Sequence, residues 1–347
     1  MSDKNQALAN FCFSLSLPGD KIGVALGDTF HDSVKGIRFL VSDSDKLDSR
    51  WLPNLLWLRD GGALPPLYCI HHSGGDVGIY RKLVRHLEPN RPVIGIQSRM
   101  LVGATTEFAD VDAMAIDYAE QIMHHRPRGE ILLLGFSFGG FVASAIAQQL
   151  RRNHRDVAFL GLVDSDLLWA NDDAMRHELA LRLTQVSLKF QSVGMLTCVP
   201  REKLERDVEE IADVFLGDFD ASPEKIVRDL NSRGYTTRND SDAAKFADFV
   251  IRFTTHLNMV RRFRPNPVEV DLHLWWPDLS ESESEARSSK WQVVAQAGLR
   301  EVTLDGSHFS ILRMPTVRTL ANQIDEVLNE SPADHADQNL IFNGTSN

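Results

Sequence analysis

The stretch EILLLGFSFGGFVASAIAQQL, residues 130–150, decides how the rest of the chain is read. Apolar residues 131–134 run into Gly135-Phe136-Ser137-Phe138-Gly139, and an apolar helical pattern follows. This is G-x-S-x-G between a strand and a helix, the setting in which that pattern presents a nucleophile. Side chains at 135 and 139 would collide with the neighbouring strand and helix, so both positions are glycine. The turn exposes the Ser137 hydroxyl beside a helix N-terminus, whose free N–H groups favour developing negative charge. The competing reading is a plain glycine-rich connection, and the strand-turn-helix context speaks against it.

Outward from the serine, short apolar runs alternate with helical patterns. PLYCI (66–70), PVIGIQ (92–97), ILLLGF (131–136) and VAFLGLV (157–163) read as strands. YRKLVRHL (80–87), VDAMAIDYAEQIMHH (111–125) and GFVASAIAQQLRR (140–152) read as helices. Strand and helix in turn predict a mostly parallel sheet covered on both faces. The pattern resumes with strands at 268–276 and 299–304 and a last helix from about Pro315. Between about 170 and 240 only helical signals remain, with stripes Met175–Phe190 and Leu204–Phe215. A helical block inserted into a parallel sheet is most simply a lid, although periodicity alone also allows an ordinary helical subdomain. The division is therefore an N-terminal extension and linker over 1–60, a main domain over 61–332 with its insert, and a polar tail over 333–347.

Composition narrows the function. The 347 residues carry 24% charged and 43% hydrophobic side chains and a net charge of -11. That acidity argues against general nucleic-acid binding. No run is long enough to span a bilayer, and no signal peptide is evident. Three scattered cysteines suggest neither a disulfide framework nor a zinc site, and point to a cytoplasmic protein. The adjacent His71 and His72 lack a third partner, so no metal is expected.

A serine nucleophile needs a base, and the base needs an orienting acid. His308, in TLDGSHFSILRMP, is the histidine between the last strand and the last helix. The acid has two candidates, Asp164 after the strand that follows the elbow helix and Asp278 after the next strand. Parallel strands share a C-terminal edge, so both point toward the edge that carries Ser137, and pattern alone divides them evenly. The oxyanion hole is expected from the Phe138 N–H and a second N–H, from Ser73 or Gly74, in the loop CIHHSGGDVGIY (69–80).

PLYCIHHSGG, RPVIGIQSRML, AMAIDYAEQI and GEILLLGFSFGGFVASAIAQQLRR together resemble the type I thioesterase domains that end nonribosomal peptide and polyketide synthases. The resemblance is strong over 64–166 and weaker around His308. It implies the α/β-hydrolase fold with a helical lid. It also places the acid after the strand that follows the elbow, about 27 residues past the serine, which selects Asp164 and keeps Asp278 in reserve. His72 departs from the family, which usually has proline there.

The resemblance further implies acyl transfer from the phosphopantetheine arm of a carrier protein to Ser137. Release to water would give an acid, and release to an internal hydroxyl or amine a lactone or lactam, with no cofactor in the enzyme itself. Residues 22–42, around Ser33, look faintly like a carrier's modified-serine region but lack its glycines, and an arm packing on the hydrolase is the simpler expectation. A carboxylesterase or lipase would use the same three residues on oxygen esters, and a binding module with a dead site is disfavoured because all three are present. Basic clusters at 124–129, 151–155 and 260–266 are candidates for docking an acidic carrier, with solvated helix ends as the commoner explanation.

Overall fold

The computed structural model describes residues 54–104, 106–166, 199–217, 223–235, 240–278 and 290–329, together with 184, 188 and 191. The expectations for residues 1–53, including Ser33, lie outside the described residues, as do those for the stripe from Met175 to Phe190 and for the tail 333–347.

Among the described residues seven strands form one sheet: β1 (Leu55–Arg59), β2 (Leu67–Ile70), β3 (Val93–Ile96), β4 (Ile131–Phe136), β5 (Val157–Val163), β6 (Asp271–Pro277) and β7 (Gly298–Leu304). Their order is β1-β3-β2-β4-β5-β6-β7. All neighbours are parallel except β1, which pairs antiparallel with β3. The sequence division at residue 61 falls between β1 and β2. β1 escaped the sequence reading because Arg59 follows one short apolar run. Its half-buried guanidinium donates to the carbonyls of Val84, Leu87, Glu88 and Arg91, which holds this edge strand to the domain.

The described α-helices are α1 (Arg81–Val84), α2 (Val111–His125), α3 (Phe138–Arg152), α4 (Arg201–Gly217), α5 (Pro223–Ser232), α6 (Asp240–Arg262) and α7 (Thr316–Asn329). The boundaries of α2, β4 and β5 coincide with the apolar patterns. α1 is shorter than its pattern, and its first turn is a 3₁₀ turn over Gly78–Tyr80. α6 begins where the helical insert was expected to end; its 23 residues carry the helical block up to the return of the sheet. No helix among the described residues is long and apolar enough to cross a membrane.

Alternation along β4 separates the core into two layers. Ile131 and Leu133 join a cluster with α2, α3, Trp276 and Trp291 on one face. Leu132, Leu134 and Phe136 join Tyr80, Leu83, Ile311 and Leu320 on the other. A strand buried on both faces must be apolar throughout, which is why the decisive stretch reads as a continuous run rather than an alternating one. The sharp turn at Ser137 breaks this alternation: Phe136 enters one layer, and Phe138, the first residue of α3, enters the other.

Candidate active site

Ser137 follows β4 with φ 56° and ψ -123°, a conformation costly for any side chain bearing a Cβ. It is kept there by tight packing around the turn. A Cβ at position 135 would lie 2.2 Å from the Gly139 carbonyl oxygen, and one at position 139 would lie 2.5 Å from that of Ile70. The Ser137 N–H donates to the Val163 carbonyl at 2.9 Å, and the Ser165 hydroxyl donates to the Ser137 carbonyl at 2.9 Å. The backbone is thus fixed from β5 while the hydroxyl caps no N–H of α3. The Ser137 Oγ is buried and makes no hydrogen bond to a described residue.

Asp164 follows β5 with φ 44°, its N–H donating to the Trp275 carbonyl of β6 at 2.8 Å. Its Oδ2 accepts from His308 Nδ1 at 2.6 Å. The carboxylate fixes the proton on Nδ1, so in the neutral ring Nε2 is the acceptor. The imidazole stacks on Phe136, the residue before the nucleophile, with centroids 4.9 Å apart. Its loop is pinned by hydrogen bonds between Ser307 and Ser310 and by burial of Ile311 and Leu312. The structure therefore brings His308 and Asp164 into direct contact beside the elbow. It does not show a hydrogen bond from Ser137 to His308, a contact that in unliganded hydrolases often tightens only with substrate. Asp278, the reserve acid, is exposed after β6.

Of the two oxyanion donors considered beside Phe138, the structure removes Gly74. Its N–H donates to His72 Nδ1 at 3.0 Å, while His72 Nε2 faces Asp76 Oδ2 at 3.1 Å. The histidine that stands in place of the family's usual proline thus takes up that amide. The His72 carbonyl accepts from Gly75 N–H and from His71 Nδ1, each at 2.8 Å. The peptide joining His72 to Ser73 is then held by its carbonyl, and its Ser73 N–H remains uncommitted within the loop. The Phe138 N–H stands in the first turn of α3, where helix geometry leaves it free; that turn contains no acidic residue to compensate the helix dipole.

Behind this loop lie residues that the sequence reading passed over. His256 and Arg252, one turn apart on α6, reach it from behind. His256 Nδ1 donates to the Ser73 carbonyl at 2.7 Å, and Arg252 Nε donates to the Gly74 carbonyl at 3.3 Å. His256 Nε2 lies 3.2 Å from Glu107 Oε2, and the pair is 0% and 1% exposed. Ser98 Oγ also donates to Glu107 Oε2, at 2.5 Å. Burial works to raise the Glu107 carboxyl, but the hydrogen bonds and charge of His256 and the Ser98 hydroxyl outweigh it and bring the group down to about 2. Burial, with the nearby His256 charge, lowers His71 to about 3, so that ring is neutral; its Nε2 accepts from the Tyr118 hydroxyl at 3.0 Å. A sequence signal did exist: Arg252 and His256 interrupt, at i and i+4, the apolar face carrying Phe253, Leu257 and Val260.

Among the described residues no group of three histidine, cysteine or acidic side chains could hold a metal ion. The basic clusters at 124–129, 151–155 and 260–266 lie at the C-terminal ends of α2, α3 and α6. The second lies at the far end of α3 from Ser137, about 21 Å along a 15-residue helix.

The model of the Thioesterase domain family matches residues 65–327. Malpibaldin synthetase of Mortierella alpina is 44% identical over 108 residues, covering 31% of this chain and 2% of the synthetase. The chain spans only a small part of the length of the curated relatives it matches. A crystal structure of a four-domain nonribosomal peptide synthetase bound to AMP and glycine superposes with a TM-score of 0.59 at 23% identity, covering 80% of this chain and 20% of that one. The NocB thioesterase domain from the nocardicin cluster gives a TM-score of 0.53 at 18% identity, covering 78% and 96%. These structural likenesses establish the fold as that of α/β-hydrolase thioesterase domains.

Proposed function

Because the chain belongs to the Thioesterase domain family, we propose that it releases an acyl or peptidyl chain from the phosphopantetheine thioester of a carrier protein through an acyl-enzyme on Ser137. The observation that carries this reading is the 2.6 Å bond from His308 Nδ1 to Asp164 Oδ2 beside the strained Ser137 turn. Its relatives among nonribosomal peptide synthetases support the carrier-bound substrate class.

In this reading Ser137 Oγ attacks the thioester carbonyl carbon and its proton passes to His308 Nε2. Asp164 stabilises the resulting imidazolium and keeps the ring in the productive tautomer. The carbonyl oxygen takes up negative charge against the N–H groups of Phe138 and Ser73, at the positive end of α3. Collapse breaks the C–S bond, and the departing sulfur takes the proton from His308. The acyl-serine is then attacked by water, giving an acid, or by a hydroxyl or amine of the chain itself, giving a ring. His308 accepts the nucleophile's proton and returns it to Ser137 Oγ. The chemistry requires no cofactor in the enzyme beyond the carrier's own arm, and a cytoplasmic setting goes with such a substrate.

The test is mass spectrometry of the intact protein after exposure to a panel of acyl-pantetheines, with product analysis. The expected result is an acyl adduct on Ser137 that is absent from Ser137→Ala. Turnover of matched p-nitrophenyl esters with no adduct from any thioester would assign the site to a carboxylesterase instead.

A further inference from the structure

We propose that His256 and Glu107 form a buried clamp that positions the oxyanion loop, holding the Ser73–Gly75 backbone and Phe138 in register with Ser137. The inference rests on the Ser137 reading for its catalytic meaning, and on its own geometry for the clamp.

Three consecutive peptides of the loop are fixed by hydrogen bonds, two of them in part from α6. The His72–Ser73 peptide is held through its carbonyl by His71 and Gly75. The Ser73–Gly74 peptide is gripped at both ends, its carbonyl by His256 and its N–H by His72. The Gly74–Gly75 peptide is tied by Arg252 and by the Gly75 N–H bond to the His72 carbonyl. A glycine pair has too much conformational freedom to keep such an arrangement unaided.

His256 also stacks on the Phe138 ring with centroids 4.5 Å apart and planes 23° from parallel. One imidazole therefore touches the residues that supply both oxyanion N–H groups, Ser73 through its carbonyl and Phe138 through its ring. Its Nδ1 donates to the Ser73 carbonyl and its Nε2 meets the Glu107 carboxylate, so both ring nitrogens are committed. Glu107 is anchored in turn by the Ser98 hydroxyl and the Phe108 N–H. The clamp thus joins three segments: the oxyanion loop, the 98–108 turn and α6.

Stability alone does not account for such a pair. A buried ion pair carries a large desolvation cost, and well-packed apolar residues of similar volume often do as well. What apolar residues could not do is donate to the Ser73 carbonyl. In this sense His256 is a positioning residue: it acts on the reaction through Ser73 and Phe138.

The experiment compares wild type with His256→Phe, His256→Asn and Glu107→Gln in the full chain. His256→Phe keeps a ring against Phe138 and loses the donor to Ser73; His256→Asn keeps an N–H near the Nδ1 position. The readouts are the rate of Ser137 labelling by a fluorophosphonate, kcat and KM on a pantetheine thioester, and hydrogen exchange at Gly74 and Gly75. A misplaced loop should slow labelling and kcat by roughly 10- to 100-fold in His256→Phe, with KM within about twofold. Gly74 and Gly75 exchange should quicken, and His256→Asn should recover most of the rate. Unchanged labelling and unchanged exchange in His256→Phe would overturn the clamp. Should the His256 variants fail to fold, Glu107→Gln carries the same readouts with the same two outcomes. A wild type that never labels at Ser137 would overturn the nucleophile, and the exchange rates would still decide for or against the clamp.

Discussion

Phe136 and Phe138 flank Ser137 and each stacks on a histidine, His308 on one side and His256 on the other. Both histidines pair with a carboxylate, yet they are held differently. His308 commits one nitrogen to Asp164, leaves the other open and is 14% exposed. His256 commits both nitrogens and is 0% exposed. A ring that moves a proton must keep one nitrogen free and a path to the reacting atoms. A ring that only holds should have neither. Under the proposed function the same two side-chain types divide into a mobile-proton pair and a fixed one, and the elbow at Ser137 sends the phenylalanines they stack on into opposite core layers.

The strongest way to break this contrast is to remove the open nitrogen. His308→Ala is expected to lower kcat on a pantetheine thioester by roughly 10⁶-fold, since the members of such a unit fail together. Combining it with Ser137→Ala should add little. Asp164→Asn leaves the ring in place but loses the tautomer, and a loss of roughly 10⁴-fold is expected. Steady-state kinetics on the purified variants, with circular dichroism to verify folding, checks all three. A His308→Ala loss below about 100-fold would erase the distinction, because His256→Phe is expected to reach that level by displacement alone.

Much of this site could be read along the chain, for a physical reason. The elbow is local: one strand, one turn and one helix lie within residues 130–152, and close packing dictates its glycines. His308 could be found because a single histidine lies between the last strand and the last helix. Asp164 and Asp278 remained equivalent on pattern alone because both end adjacent parallel strands. The family resemblance favoured Asp164, and in the structure the His308 ring turns to it. Gly74 was a reasonable donor from its flexibility, but His72 and its ring nitrogen lie two residues away, and no spacing rule reports a side chain folding back onto its own loop. His256 and Glu107 escaped for a further reason. They are 149 residues apart and meet only once α6 packs behind the loop. Likewise β1 is an edge strand whose short run carries no alternation strong enough to announce it.

Acid stability offers a finer test of the fixed pair. The Glu107 carboxyl is held at about 2, below the ordinary 4.5, so the folded state binds its proton less readily than the unfolded chain. Its contribution is therefore present above about pH 4.5 and is lost as pH falls toward 2. His71, lowered from 6.5 to about 3, also weakens the fold on acidification, because only the unfolded chain takes up the proton, but its window opens earlier. Chemical denaturation between pH 7 and 3 should show a steady loss in wild type. Glu107→Gln should start lower and lose less below about pH 4.5, a difference of a few kcal/mol at most, while the decline from about pH 6.5 persists. Equal slopes in that acid range would mean that Glu107 is not the ionised partner of His256.

The smallest expected effect concerns Asp278, and it shows whether the mobile pair is unique. Asp278 follows β6, the neighbour of β5, so it stands one strand beyond Asp164 on the same edge. Adjacent strands are about 5 Å apart, near enough that a ring freed from Asp164 could turn toward it. In the structure His308 already donates to Asp164 at 2.6 Å, and Asp278 is left exposed. Asp278→Asn alone should change kcat by less than about twofold, as surface substitutions away from such contacts do. The informative measurement is the double-mutant cycle with Asp164→Asn. If Asp164 is the only acid, the double variant should match Asp164→Asn. If Asp278 takes over when Asp164 is neutralised, Asp164→Asn will lose far less than roughly 10⁴-fold, and the second substitution will remove what remained. That result would leave the nucleophile and base in place and make the orienting role a property of the β5 and β6 strand ends together.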